Sequence, residues 1–134
     1  MSSSIIKQLG INAKKAASEL ANIRDDRKNQ ALNYLKNDLK LLSSNLIEIN
    51  KIDIENAHAM KLSFAMIDRL TLNEERIKGM ITSLDEIINL KDPVGIVLSE
   101  WNRPNGLNFQ KITVPIGVIG MIYESRPNVT VDAS

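Results

Sequence analysis

The sequence predicts an α/β protein in which the helices come first and the strands follow. Up to Ile88, apolar residues recur at steps of three and four, which is the spacing of amphipathic helices. From Ile96 to Val114, two short β-prone stretches flank an Asn-Gly turn, a pattern typical of a β-hairpin. From Ile116 to Tyr123, a nearly unbroken apolar run rich in Val and Ile favours a strand that is buried on both faces.

Residues 1–95 are predicted to form an N-terminal helical segment. Asp25 is a suitable N-cap for its second helix, and Ser43–Ser44 either stops that helix or caps the next one. From Leu46 to Ala59 we expect a helix with a break near Asn50, because polar and charged residues interrupt the apolar pattern there. The first helix carries an apolar stripe that includes several alanines: Ile6, Leu9, Ala13, Ala16, Ala17 and Leu20.

The most regular helix is predicted from Glu74 to Asn89. Asn73 is its expected N-cap, which places two glutamates in the first turn, where negative charge is favoured. A short helical turn is expected before it, from Ser63 to Leu70. The apolar face of the long helix consists of Ile77, Met80, Ile81, Leu84, Ile87 and Ile88.

Residues 96–114 are predicted to form the β-hairpin. Its strands run from Ile96 to Trp101 and from Leu107 to Val114, with Asn105–Gly106 at the tip. Trp101 is expected to be a packing residue of this hairpin. Taken alone, the residues favour a local hairpin that lies over the helices.

Residues 115–134 are predicted to form the first strand, the tight turn and the helix start of an incomplete nucleotide-binding domain. A parallel strand needs a crossover of about a dozen residues and a second strand beside it, and we find neither in the sequence. Ser125 or Asn128 could cap the helix, and Pro127 suits its first turn. In open α/β folds such a corner attracts anionic ligands.

Ser125, Arg126 and Asn128 are therefore the candidate binding residues. Arg126 could pair with a phosphate or a carboxylate through two parallel hydrogen bonds. The alternative is that Ser125 and Asn128 only cap a helix while Arg126 is solvated, and the residues alone favour this alternative.

Other patterns point away from cofactor and metal chemistry within this sequence. Gly117 and Gly120 do not have the spacing of a dinucleotide fingerprint, and we expect them to allow the close approach of a helix or strand. His58 is the only histidine, and it has no Cys, Asp or Glu at metal-ligand spacing, so a surface role is expected. Because there is no cysteine, disulfides, thiolate metal sites and a cysteine nucleophile are excluded, and no catalytic residue is predicted.

The composition predicts neither a nucleic acid nor a membrane as partner. Seventeen basic and sixteen acidic residues give a net charge of +1. No apolar stretch approaches the ~20 residues of a membrane span. The N-terminus lacks the pattern of a secretory signal, so we expect a cytoplasmic location.

The segment from Val114 to Asp132 closely resembles the corresponding part of gamma-glutamyl phosphate reductase, also called glutamate-5-semialdehyde dehydrogenase, of the aldehyde dehydrogenase superfamily. The block from Tyr123 to Thr130 is close to diagnostic for that branch. The resemblance extends upstream through Asp68–Arg69–Leu70 and Asp92–Pro93–Val94–Gly95. It covers nearly the whole chain, but roughly the first third of the family's length.

The resemblance implies an aldehyde dehydrogenase-like α/β fold, present here in truncated form, and a hairpin that helps to build a subunit interface. It also implies an enzyme of proline biosynthesis that reduces L-glutamyl 5-phosphate to glutamate 5-semialdehyde with NADPH, through a cysteine thiolate. Its substrate carries both a phosphate and a carboxylate, which favours a binding role for Ser125, Arg126 and Asn128. Broader aldehyde dehydrogenases hold the oxyanion with an Asn at the position of Ser125, so Ser125, Asn128 and backbone N–H groups all remain candidates for that contact.

We therefore expect a reductase-like fragment that is inactive alone and does not bind NADPH tightly. The alternative is a helical interaction module, or one subunit of a split enzyme that needs a partner chain. Self-association is a further expectation, because the apolar strand from Ile116 to Tyr123 would have an uncovered edge and face.

Overall fold

The computed structural model of the chain describes residues 2–133, with side chains from residue 4 onward. In these residues, helices precede a two-stranded antiparallel sheet, and a short helix follows it. The elements are α1 (Ser2–Leu20), α2 (Asp25–Leu41), α3 (Ser43–Ala59), α4 (Phe64–Leu70), α5 (Glu74–Ile88), β1 (Val97–Asn102), β2 (Asn108–Ile112) and α6 (Pro127–Asp132).

These elements belong to two compact units. The helical unit runs from Asp26 to Leu90 and continues from Met121, so it contains nearly all of α2 together with α3, α4, α5 and α6. The hairpin unit contains α1, the two strands and the chain up to Gly120. The predicted division at residues 95 and 114 stays a prediction. Every helix in the described part of the chain is too short or too polar to span a lipid bilayer.

The core of the helical unit is built around α5. Ile77, Met80 and Leu84 of α5 are buried together with Leu39 of α2. This spacing of three and four residues matches the helical repeat, so the predicted apolar face of α5 is confirmed from Ile77 to Leu84, whereas Ile87 is exposed. The partly buried residues packed against this core are Leu32, Leu35, Leu46, Ile47, Leu72, Ile81 and Val131.

Polar caps begin α4 and α5, and the cap of α5 is the predicted one. Ser63 precedes α4, and its hydroxyl accepts a hydrogen bond from the backbone N–H of Met66 at 3.4 Å. Asn73 precedes α5, and its side-chain oxygen accepts one from the N–H of Arg76 at 2.8 Å. Each cap satisfies a backbone donor that has no partner inside its helix.

The predicted break near Asn50 is wrong, because α3 runs without interruption from Ser43 to Ala59. Asn50 is one of the buried residues of this helix, and its amide bonds to a neighbouring loop instead of disrupting its own backbone. Of the two alternatives for Ser43–Ser44, α2 does end just before them, at Leu41, but neither serine caps α3. Leu42 occupies the cap position of α3 and provides no side-chain hydrogen bond. Similarly, Asp25 is the first residue of α2 rather than the residue before it.

The hairpin has the predicted strands, but β1 begins and ends one residue later than predicted and β2 is shorter at both ends. Trp101 lies opposite Phe109, and their rings stack with centroids 5.8 Å apart, which confirms that Trp101 is a packing residue of the hairpin. Gly106 has a φ of +87° in the turn, a conformation that glycine adopts without strain. All side chains of both strands are exposed.

The apolar segment, Ile116–Tyr123, is not a strand in the structure. A strand is held by hydrogen bonds to a neighbour, and among the described residues the only paired strands are β1 and β2. Gly117 adopts a φ of +100°, and neither Gly117 nor Gly120 has a neighbouring atom where a side chain would lie. The expected close approach to these glycines is therefore wrong. All eight residues of the segment are exposed.

Candidate functional site

A cleft lies in the helical unit, where α4, α5 and α6 meet. It has a volume of about 360 Å³, and most of the residues that line it are polar or charged. Two of the three residues predicted to bind a ligand, Arg126 and Asn128, line this cleft, and Ser125 does not. The complete lining is Asp68, Arg69, Thr71, Leu72, Arg76, Gly79, Met80, Ser83, Arg126, Asn128 and Asp132.

Arg76 of α5 fixes the end of α4. Its Nη2 donates to the carboxylate of Asp68 at 2.9 Å, and its Nη1 donates to the backbone carbonyls of Asp68 and of Thr71, the latter at 2.7 Å. A guanidinium can make these bonds together because its donors are arranged in a rigid, planar fork. The charge of Arg76 is thereby committed to the carboxylate of Asp68 within the protein.

Asn50 holds the loop that connects α4 to α5. Its Nδ2 donates to the carbonyl of Leu70 at 3.0 Å, and its Oδ1 accepts from the N–H of Leu72 at 2.6 Å. Asn50 is buried, with 6% of its surface exposed, and the described chain has no buried side-chain polar atom without a partner. One side chain therefore satisfies both a donor and an acceptor of the loop backbone.

The second wall of the cleft is α6. Val131 packs against the core of the helical unit, which places Arg126, Asn128 and Asp132 along the opening. Asn128 donates from Nδ2 to the carboxylate of Asp132 at 3.0 Å. A second bond, 2.9 Å between the hydroxyls of Tyr123 and Thr130, ties the preceding segment to this helix.

The expected capping roles at α6 are wrong. Pro127 is at the start of the helix, as predicted, but the cap position belongs to Arg126, whose side chain makes no capping bond. Asn128 lies inside the first turn, and its amide is engaged further along the helix. Ser125 has a φ of +54°, an uncommon conformation for a residue with a side chain, and it precedes the cap.

The electrostatics of the cleft favour an anion. Three guanidinium groups and two carboxylates line it, and Arg76 is paired with Asp68. Arg69 and Arg126 are exposed, and in the described chain their side chains have neither an ion pair nor a hydrogen bond. Two unpaired positive charges and one carboxylate, that of Asp132, therefore remain.

Sequence reasoning did not identify Asp68, Arg69 or Arg76 as site residues. The Asp68–Arg69–Leu70 motif indicated the related family, and the charged pair Asp68–Arg69 was the sequence feature that could have marked it as part of a site. The fold brings this motif beside α6, more than fifty residues away, which no local pattern predicts. His58 is exposed as expected, and the described residues contain no cluster of side chains suited to a metal ion.

No family model matches the chain. Among curated proteins, a gamma-glutamyl phosphate reductase from Halothermothrix orenii is 50% identical over 122 residues, and one from Bacillus anthracis is 48% identical over 125 residues. These alignments cover 91% and 93% of the chain, but only 29% and 30% of the relatives. The chain thus spans less than a third of the length of the curated relatives it matches.

Two solved structures have the same fold over this length. The crystal structure of gamma-glutamyl phosphate reductase from Thermotoga maritima superposes with a TM-score of 0.87 at 41% identity, covering 90% of the chain and 29% of that protein. The enzyme from Saccharomyces cerevisiae gives a TM-score of 0.88 at 31% identity, covering 94% of the chain and 32% of that protein.

Together, the fold and these relatives show what the chain is similar to: the N-terminal part of gamma-glutamyl phosphate reductases. The similarity is about 50% identity over 91–93% of the chain and extends over the N-terminal ~30% of those proteins. The resemblance noted in the sequence is confirmed.

Proposed function

We propose that the chain provides the N-terminal part of an enzyme that reduces L-glutamyl 5-phosphate to glutamate 5-semialdehyde with NADPH, in proline biosynthesis. The observation that carries this proposal is the 50% identity to a gamma-glutamyl phosphate reductase over 91% of the chain. In this proposal, the chain adopts its place in an aldehyde dehydrogenase-like fold, and the enzyme works in the cytoplasm.

The cleft between α4, α5 and α6 is the proposed substrate contact of this part of the enzyme. Arg126 presents an unpaired guanidinium, which suits the phosphate or the carboxylate of L-glutamyl 5-phosphate. Asn128 lies beside it with an amide that is already oriented by Asp132. Ser125 lies outside the cleft lining, and any contact from its hydroxyl or backbone N–H would be to a ligand bound at the preceding turn.

We propose that the described residues do not bind NADPH tightly. Gly117 and Gly120 lie in an exposed segment with open space around them, and α6 has six residues, which supports this proposal. We therefore assign no residue of the chain to NADPH and expect no tight binding. The 134 residues also contain no cysteine, so they do not provide the thiolate nucleophile.

A second candidate function is that of a subunit or interaction module that acts with a partner chain. The apolar segment favours it, because Ile116 and Ile122 are 88% and 103% exposed. Apolar residues this exposed and contiguous commonly mark an interaction surface. A separate polypeptide that carries the remaining part of the enzyme would be a partner of this kind.

A chimeric enzyme tests the proposed function. These 134 residues replace the matched segment of the Thermotoga maritima reductase, and activity is followed as phosphate-dependent reduction of NADP with glutamate 5-semialdehyde. We expect activity in the chimera and none in the 134-residue chain alone. In the subunit function, mixing the separate chain with the shortened reductase also restores activity.

The control is the shortened Thermotoga maritima reductase rejoined to its own segment. A chimera that matches this control in thermal stability yet has no activity would contradict the proposal. Activity of the 134-residue chain alone, above that of an Arg126→Ala variant, would contradict the assignment of the thiolate to another part of the enzyme.

A further inference from the structure

We propose that Arg69 and Arg126 act together as an oxyanion-binding pair in the cleft of the helical unit. The inference rests on the proposed function, because it takes L-glutamyl 5-phosphate as the molecule that brings the oxyanion. It adds Arg69, a residue of α4, to a site otherwise assigned to the turn before α6. The two arginines line the same cleft of about 360 Å³ from different elements.

The backbone on both sides of Arg69 is held by side chains from other helices. Arg76 of α5 bonds the carbonyl of Asp68, the residue before it, and Asn50 of α3 bonds the carbonyl of Leu70, the residue after it. The carbonyl of Thr71 is also bonded to Arg76. Since these contacts fix the position from which the guanidinium projects, less conformational freedom is lost when a ligand binds.

The charges around the pair are arranged so that both arginines stay available. Asp68, the carboxylate nearest in sequence to Arg69, is paired with Arg76. Asp132, the carboxylate on the α6 wall, accepts a bond from Asn128. Arg69 and Arg126 are the two cations of the cleft that have no partner in the described chain. A ligand with two or three oxygens in one plane matches such a pair of guanidinium forks.

Both arginines are exposed, so solvent screens them and a free anion should bind weakly, with a dissociation constant in the millimolar range. NMR spectra of the ¹⁵N-labelled 134-residue chain, titrated at constant ionic strength, measure this affinity. We expect saturable shifts of the amide signals of Arg69 and Arg126 with inorganic phosphate. A parallel titration with L-glutamate shows whether the pair prefers the phosphate or the carboxylate end of the substrate.

Four substitutions separate the pair from a general effect of charge. We expect Arg69→Gln and Arg126→Gln each to weaken binding of the preferred anion about two- to fivefold, the range for exposed charge pairs. Arg69→Lys retains the charge without the planar fork, and should give an intermediate affinity. Arg103→Gln, at the exposed turn of the hairpin, changes the net charge equally and should leave the affinity unchanged.

The pair is disproved if neither anion produces saturable shifts, or if Arg103→Gln weakens binding as much as Arg69→Gln. The active chimera provides a readout that a purely structural role would not move. In the chimera, Arg69→Gln should raise the KM for phosphate with little change in kcat. Arg69→Lys should give a KM between that of the unaltered chimera and that of Arg69→Gln. If the chain binds anions but the chimera is inactive, the pair is supported and the proposed function is rejected. If the chimera is active but the chain binds no anion, the proposed function is supported and the pair is rejected.

Discussion

Helix α5 and the apolar segment Ile116–Tyr123 each contain several Ile and one Met, yet one forms the core of the helical unit and the other is exposed. In α5, every third or fourth residue turns to the same side, and all backbone hydrogen bonds of the interior are made within the helix. The apolar segment cannot make such hydrogen bonds within itself as a strand, because a β-strand bonds its backbone N–H and C=O groups to a neighbouring strand. Hydrophobicity alone therefore does not predict burial.

The largest expected difference between the two regions is in the cost of removing a side chain. Ile77 is 2% exposed in α5, and Ile77→Ala should reduce the free energy of unfolding by about 2–5 kcal/mol, through lost burial and a residual cavity. Ile119→Ala in the apolar segment, where the residue is 67% exposed, should cost within about 0.5 kcal/mol. Urea denaturation followed by far-UV circular dichroism measures both values. Equal losses in the two variants would contradict the comparison.

A smaller loss is expected at Asn50, which links α3 to the loop before α5. Asn50→Ala leaves the carbonyl of Leu70 and the N–H of Leu72 without their partner, which should cost about 1–3 kcal/mol. Asn56→Ala in the same helix is the control, because Asn56 is exposed. The same denaturation experiment compares the two variants. If Asn50→Ala is as stable as the control, water replaces the two hydrogen bonds that Asn50 makes to the loop.

The sequence predicts features that depend on neighbouring residues. Asn73, the two glutamates after it and the apolar face of α5 were all recognisable, because a helix and its cap are encoded within a few turns. The same holds for the hairpin, whose turn residues and ring pair lie close together in the chain. For this reason the positions of α4, α5 and the two hairpin strands were predicted to within two residues.

Features that depend on distant residues were predicted less well. The sequence predicts a helix break near Asn50, because the hydrogen-bond partners of its amide lie twenty or more residues further along the chain. Arg69 was missed, because it meets Arg126 in the cleft only after α6 folds onto α5. The predicted strand failed for the same reason, since its pairing partner is not specified by its own residues. Of the predicted site residues, Arg126 and Asn128 line the cleft and Ser125 does not, and the binding roles of all three stay predictions.

The N-cap of α5 should contribute less than either core residue. Asn73→Ala removes the bond to the N–H of Arg76 at 2.8 Å and should destabilise the chain by about 1 kcal/mol. Asn73→Ser retains a capping oxygen, so its loss should be clearly smaller. Urea denaturation of the two variants checks this, and equal losses would mean that the contribution of Asn73 does not come from the capping bond.

The smallest effect on stability is expected in the apolar segment, where the effect on association should be the clearest. Ile116 and Ile122 are almost fully exposed, so replacing both with lysine should change the free energy of unfolding by no more than about 0.5 kcal/mol. Exposed apolar, β-prone residues favour pairing between chains, and charged residues oppose it. The double variant should therefore self-associate less than the unaltered chain in analytical ultracentrifugation.

A charge-matched variant decides whether the segment itself drives association. Asn37→Lys with Asn45→Lys adds the same two charges at exposed polar positions of α2 and α3. If the unaltered chain and this variant associate while the Ile116→Lys, Ile122→Lys variant is monomeric, the apolar segment is the contact. If both variants are equally monomeric, net charge explains the change. If the unaltered chain is already monomeric, the apolar segment does not drive association, and its eight exposed residues are tolerated in water. The burial of residues in α5 would then reflect helical geometry more than a general need to cover apolar surface.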